Sequence, residues 1–323
     1  MDDIIFLIKG NRNGEPFAAE MYQGGEQPYF TLRWQEDEGE LHIRIIPKEF
    51  DEYGEPVGTL TLESVALTFP WECRGGKQPE QIFMNGYQSW TDSHEHTLGE
   101  KEPSISPLAA GMVEKYYLDR YGDPLFTMKG TAAGQFHGFT YCYFRDGETY
   151  RFVGSLSERS GFTVFYYNGD AGQMSIEKDC AGVNISEEWN AFDLVELTGS
   201  EEQVFDTYFE KMNIAKPKGR PMTGYTSWYN HYQNISAQII SDNLEHVHEM
   251  GQIFDVFQID DGYQTYVGDW LDVQKDKFPD GLETIVDQIH AYGMKAGLWL
   301  SPFVCEKKSR CFHSHPDWLV RDA

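Results

Sequence analysis

One change of hydrophobic period divides this chain and limits what it can fold into. Up to about Thr198, apolar and polar residues alternate at period two. Examples are Tyr29-Phe30-Thr31-Leu32-Arg33-Trp34, Leu60-Thr61-Leu62-Glu63-Ser64-Val65-Ala66-Leu67, Gly161-Phe162-Thr163-Val164-Phe165-Tyr166 and Phe192-Asp193-Leu194-Val195-Glu196-Leu197. Alternation sends successive side chains to opposite faces, so each segment reads as a half-buried strand. Asn13-Gly14, Asp146-Gly147 and Asn168-Gly169 supply turns between them. Many short strands joined by turns predict a β-sandwich, and the length of this region asks for a broad one of two sheets.

The period then becomes helical. Ser200 is a good N-cap, and Gln203 completes a capping box ahead of Val204, Phe205, Tyr208, Phe209 and Met212. Ala215-Lys216-Pro217-Lys218-Gly219-Arg220-Pro221 breaks that helix and serves as a linker. The sequence therefore divides into a first domain at 1–218 and a second at 219–323. The second alternates β and α. Strands are expected at Met222–Trp228, Phe254–Asp260 and Lys295–Leu300, with helices after Ser236 and over Leu282–Tyr292. A βαβαβ order implies parallel strands with right-handed crossovers.

The loops after the strands separate a barrel from an open sheet. A dinucleotide fold needs a glycine-rich loop after its first strand. Here that loop is Trp228-Tyr229-Asn230-His231-Tyr232-Gln233, too bulky to admit a pyrophosphate. A (β/α)₈ barrel instead gathers polar and aromatic residues at its strand ends, as Ser227-Trp228, Asp260-Asp261 and Trp299 with Ser301 do. The expected fold is therefore a β-domain followed by an incomplete TIM barrel. The stretch from Gly219 is about half the ~200 residues that a whole barrel needs.

Charge narrows the ligands. The chain has 52 acidic and 26 basic residues, a net charge of −26 over 323 residues. Such a surface repels nucleic acid and anionic lipid, so neither is expected as a partner. Aromatics make up 15% of the chain, which suits a neutral sugar. Five scattered cysteines, no basic leader and no long apolar run favour reduced thiols and a cytoplasmic location. The exposed edges of an open barrel invite pairing, so a homo-oligomer is compatible with the pattern.

Asp260-Asp261 is the sharpest chemical feature. Two carboxylates behind an apolar strand cost free energy to bury unless hydrogen-bonded, and sugar hydroxyls are suitable donors. The alternative is an ordinary turn or helix cap. Adjacent residues point to opposite faces, so the pair suits holding one sugar better than straddling a glycosidic bond, where retaining enzymes space their carboxyls ~5–5.5 Å apart. Trp228 and Trp299, at matching strand ends, offer apolar ring faces; core packing is the competing role. Trp90 sits in a turn of the β-domain. Cys305, Cys311, His313 and His315 invite a zinc reading, but the spacing matches no common zinc layout and an i, i+2 histidine pair is expected to diverge. His94 and His96 offer less still. No metal or cofactor is expected. Serine-hydrolase and phosphate-loop motifs are absent.

Several motifs occur in order: Thr223-Gly224-Tyr225-Thr226-Ser227-Trp228-Tyr229, Phe257-Gln258-Ile259-Asp260-Asp261-Gly262-Tyr263, Gly268-Asp269-Trp270-Leu271, Lys277-Phe278-Pro279, Gly297-Leu298-Trp299-Leu300-Ser301-Pro302-Phe303 and His315-Pro316-Asp317-Trp318. Together they resemble the early barrel of glycoside hydrolase family 36, the bacterial α-galactosidases. Asn85-Gly86-Tyr87-Gln88-Ser89-Trp90 resembles a motif of that family's N-terminal β-supersandwich. The resemblance implies a metal-free retaining hydrolase of carbohydrate metabolism, acting on terminal α-galactosyl residues. It implies that Asp260 and Asp261 hold galactose hydroxyls in subsite −1, that Trp228 and Trp299 line the sugar pocket, and that Trp90 reaches the rim. It also implies that the nucleophile and the acid/base lie past Ala323, so this chain alone is expected to be inactive. A transglycosylase, an α-N-acetylgalactosaminidase and a non-catalytic sugar-binding protein remain open alternatives.

Overall fold

Asparagine and glycine set the first hairpin. Asn13 and Gly14 both take positive φ, +53° and +91°, and join β1 (Ile5–Arg12) to β2 (Glu15–Tyr22) in a two-residue turn. That backbone twist matches the twist of the strands it connects. Glu38 and Gly39, φ +44° and +78°, do the same between β4 (Phe30–Asp37) and β5 (Glu40–Pro47). The computed structural model describes residues 3–22, 24–72, 79–88, 91–102, 107–116, 122–125, 130–215, 217–251 and 254–320. The chain divides into two units, Met1–Ala215 and Lys216–Ala323.

The first unit is a two-sheet β-structure. Besides the two hairpins it contains β3 (Gly25–Glu26), β6 (Leu60–Pro70), β7 (Gln81–Met84) and β8 (Glu95–His96). After α1 (Ala110–Tyr116) come β9 (Gln135–Phe139), β10 (Tyr141–Asp146), β11 (Thr149–Ser155), β12 (Thr163–Asn168), β13 (Gln173–Lys178), β14 (Asn184–Ile185) and β15 (Trp189–Gly199). One antiparallel sheet runs β2-β1-β6-β13-β12-β9, with β14 also on β6; the other runs β3-β4-β5-β15-β11-β10-β7-β8. The buried alternate residues of both sheets form one apolar core that includes Phe6, Ile8, Ile43, Ile45, Leu67, Phe165, Ile176 and Phe192.

α2 (Glu201–Lys211) starts with the expected capping box. The Gln203 amide N–H donates to Ser200 Oγ, and Gln203 Oε1 accepts from the Ser200 amide. Its buried face, Val204 and Tyr208, joins Tyr143, Phe152 and Val195 in a second cluster. The Tyr208 hydroxyl donates to the Ser155 carbonyl at 2.7 Å, so the one polar atom on that face is satisfied. No described helix is long and apolar enough to cross a membrane.

A charged triad lies in this unit. His137 Nδ1 is 2.7 Å from Glu102 and Nε2 is 2.6 Å from Asp123. Burial alone would lower the imidazole pKa, but hydrogen bonds to Asp123 and Glu102 outweigh it and raise it to about 9. The unfolded value is ~6.5, so the protonated ring stabilises the fold fully below that pH and the contribution is lost as pH rises through about 9. We expect denaturant melts to lose about 3 kcal/mol between these limits, and His137→Gln to lack that slope. Parallel pH profiles of the two proteins would refute this.

The second unit is the start of an α/β fold. β16 (Gly224–Thr226), β17 (Val256–Ile259) and β18 (Lys295–Leu298) pair in parallel and in order, with Gly224 opposite Val256 and Ile259 opposite Leu298. α3 (Trp228–His231), α4 (Ala237–Glu249), α5 (Glu283–Ala291) and α6 (Arg310–Ser314) complete it. Ser236 caps α4 by accepting from the Ile239 amide. Ile240, Leu244, Ile285 and Ile289 from α4 and α5 pack on Phe257 and Ile259 of the central strand. The strands are shorter than their apolar runs. Met222 and Leu300, at the expected ends, are exposed, and Trp228 already belongs to a helical turn.

Candidate functional site

The three parallel strands end together and deliver their next residues to one edge of the sheet. β16 leads into Ser227 and Trp228, β17 into Asp260 and Asp261, and β18 into Trp299. The ladder extends past the strand ends. The Ser227 amide donates to the Gln258 carbonyl at 3.3 Å, and the Trp299 amide to the Ile259 carbonyl at 3.0 Å. These contacts fix the backbone from which the site residues project.

Both carboxylates are buried, Asp260 being 7% and Asp261 6% exposed. Asp260 Oδ2 accepts from the Thr226 hydroxyl at 2.8 Å and from Gln258 Nε2 at 2.7 Å. Its Oδ1 accepts from the Asp261 amide at 2.9 Å, while its own amide donates to Ser227 Oγ at 3.0 Å. Asp261 turns to the loops. Its Oδ2 accepts from Gln233 Nε2 at 2.7 Å, and its Oδ1 accepts from Gln264 Nε2. The neighbours thus take separate partner sets. A carboxylate has about four lone-pair directions. Asp261 retains one on each oxygen, and Asp260 retains one on Oδ1. Buried acceptors with capacity to spare suit a ligand rich in hydroxyl donors.

Gly262 allows the turn behind this pair. Its φ of +113° is open to glycine alone, and a Cβ there would lie 2.7–3.0 Å from backbone atoms of Gln233. Lys277 Nζ fastens the same junction, donating to the Gln233 carbonyl at 2.8 Å and the Gly262 carbonyl at 3.1 Å. Gly262→Ala is therefore expected to push Gln233 away from Asp261 and to cost about 2 kcal/mol. Chemical denaturation measures it; a change below about 0.5 kcal/mol would show that the junction yields freely.

The aromatics are held less tightly than the acids. Trp228 and Trp299 are each half-buried. Trp228 packs edge-on against Tyr232 with centroids 5.1 Å apart, and Trp299 against Trp270 at 5.7 Å. The fully buried Tyr263 donates its hydroxyl to the Trp299 carbonyl at 3.2 Å, tying the ends of β17 and β18 together. Burial and then the Asp261 charge push that hydroxyl up to about 12, so it remains a donor.

The structure thus brings Asp260, Asp261, Trp228 and Trp299 to the strand ends. Trp90 lies outside the described residues. Sequence reasoning passed over Thr226, Gln233, Gln258, Gln264 and Lys277. Gln258 carried a usable signal, since it lies two residues before Asp260 on the same strand face. Asp269, in the motif Gly268-Asp269-Trp270, is 7% exposed but faces elsewhere. It accepts from the Arg310 and Cys311 amides at 2.8 and 3.0 Å, capping α6. Of the four groups that invited a zinc reading, Cys305 and Cys311 lie in contact, His315 lies flat on Trp318 and His313 packs edge-on against Phe312.

Residues 198–323 match the family model described as Melibiase. The family resemblance is real. Over 94 residues the chain is 32% identical to α-galactosidase 2 of Pediococcus pentosaceus, an alignment covering 27% of this chain and 13% of that protein. It is 28% identical over 118 residues to an α-galactosidase of Escherichia coli, covering 34% and 16% of the two chains. Among solved structures, the α-galactosidase of Thermus thermophilus, in complex with p-nitrophenyl α-D-galactopyranoside, aligns with a TM-score of 0.58 at 23% identity. That alignment covers 98% of this chain and 53% of the other, and at this identity it shows the fold. The α-galactosidase of Lactobacillus brevis aligns with a TM-score of 0.51 at 13% identity, covering 98% and 47%. The chain spans about half the length of these structures.

Proposed function

We propose that this chain supplies the galactose-holding part of a retaining α-galactosidase, and that the protein hydrolyses terminal α-D-galactosyl residues. The observation that carries the proposal is the buried Asp260-Asp261 pair, anchored by Thr226, Gln258, Gln233 and Gln264 with acceptor positions left over. The Melibiase match over the same residues supports it. So does the galactoside complex of the Thermus relative.

In this reading the hydroxyls of one galactose donate to Asp260 Oδ1 and to both Asp261 oxygens. Trp228 and Trp299 give apolar faces to the ring and, by excluding water, strengthen those hydrogen bonds. Neither aspartate takes the role of nucleophile or acid/base. Asp260 is saturated on Oδ2, and both carboxylates are tied to Thr226, Gln258, Gln233 and Gln264, which suits holding one sugar better than straddling its glycosidic bond. The remaining barrel strands supply that couple. The four described cysteines are free, which agrees with a cytoplasmic location. Calorimetric titration of the chain with galactose tests the pocket: Asp260→Ala is expected to abolish the heat of binding. Unchanged binding in the variant would remove these residues from the sugar site.

A further inference from the structure

The loop after β7 carries the pattern Asp92-x-His94-x-His96 and ends in β8, where His96 pairs with Ile82. The chain bends at His94 before it enters β8, and donor atoms of Asp92, His94 and His96 fall on one side. The intervening residues go to the other. Ser93 Oγ accepts from the Gly86 amide at 3.3 Å, and Glu95 holds Arg145 and the Tyr143 hydroxyl. An i, i+2 histidine pair therefore converges here: the rings of His94 and His96 are 3.9 Å apart.

We propose that Asp92, His94 and His96, joined by Glu100, form a binding site for a divalent transition ion of the zinc type. One donor atom from each of the first three lies within 4.8 Å of the others. His94 Nδ1 is 2.7 Å from Asp92 Oδ1. Glu100 Oε2 is 3.6 Å from His96 Nδ1 and 4.0 Å from His94 Nε2. Ligands of a tetrahedral ion at ~2.0–2.1 Å stand about 3.3 Å apart, so an ion held by one nitrogen of His94 spreads the Asp92–His94 pair from 2.7 Å and draws the longer separations in. Imidazole with carboxylate suits zinc and its neighbours in the first transition row, and the mixed set does not favour calcium or magnesium.

The surroundings hold the ligands in place. His96 is 5% exposed and stacks on Phe136 with centroids 4.6 Å apart. Glu100 is positioned by its own turn, its amide donating to the Thr97 carbonyl at 3.0 Å and its Oε2 accepting from the Thr97 amide at 3.3 Å. The Gly134 amide donates to the Glu100 carbonyl at 2.8 Å, fastening that turn to the start of β9. His94 stands at the mouth, half-exposed, where an ion enters from solvent.

The test titrates ZnCl₂ into untagged, chelator-treated protein kept reduced, followed by calorimetry. Saturable binding of one equivalent is expected. It should weaken at least about tenfold in His94→Ala and in the near-isosteric Asp92→Asn, and persist in a Cys305→Ser, Cys311→Ser double variant. Cobalt(II) provides the spectroscopic arm, with visible bands free of thiolate-to-metal charge transfer. Absence of saturable binding overturns the proposal, as does zinc affinity unchanged in both single variants, or binding lost only with the two cysteines.

Discussion

Exchanging Asp261 for alanine is expected to lower kcat/KM toward an aryl α-D-galactoside by about 10²–10⁴-fold, in a form of the protein that carries the remaining barrel strands. Each oxygen of this carboxylate already has one amide partner and offers one more lone pair. Two sugar hydroxyls bound to a buried anion contribute about 1.5–3 kcal/mol each, which sets the range. Removing the side chain also leaves the Gln233 and Gln264 amides without their acceptor. Initial rates measure the effect, with circular dichroism to confirm the fold. Asp261→Asn, which converts one acceptor into a donor, should fall between the two. A loss below about tenfold in a folded Asp261→Ala protein would remove this carboxylate from substrate binding.

The second large effect concerns stability. Phe257 is at the middle of the central strand β17, fully buried, and stacks on Tyr225 with centroids 4.7 Å apart. Phe257→Ala deletes a ring that contacts the core of α4 and α5, and such truncations cost about 3–5 kcal/mol. Domains have only ~5–15 kcal/mol in total, so the variant should leave residues 216–323 partly unfolded near ambient temperature. Leu298 provides the contrast: it is 43% exposed, and Leu298→Ala should cost under about 1 kcal/mol. Denaturant unfolding with limited proteolysis separates them. Equal stability of the two variants would mean that Phe257 is not the centre of this unit.

Much of the fold was legible in the chain because the signals were local. Alternation marked the strands, Asn13-Gly14 set a hairpin, and Ser200 and Ser236 capped their helices as their neighbours required. The Glu38-Gly39 turn was missed because glutamate rarely takes positive φ. Sheet order was not legible either. β15 lies between β5 and β11, pairings across some 150 and 45 residues that no local pattern encodes. The site divided in the same way. A carboxylate pair behind an apolar strand announces itself, whereas Gln233 and Lys277 join the pair only through loop closure around Gly262. Asp269 resembles Asp260 in burial and residue type, and only its partners show it to be a helix cap. His94 and His96 were discounted on spacing, yet the bend at His94 brings their rings together.

The most direct measurement of the central claim is release of the aryl group from an aryl α-D-galactoside, compared with the matching α-D-glucoside. The protein carrying the rest of the barrel is expected to turn over the galactoside and not the glucoside, while residues 1–323 alone release none. Equal turnover of the two sugars, or hydrolysis at full rate by residues 1–323, would contradict the assignment of Asp260 and Asp261 to galactose binding and of the catalytic couple to the rest of the barrel.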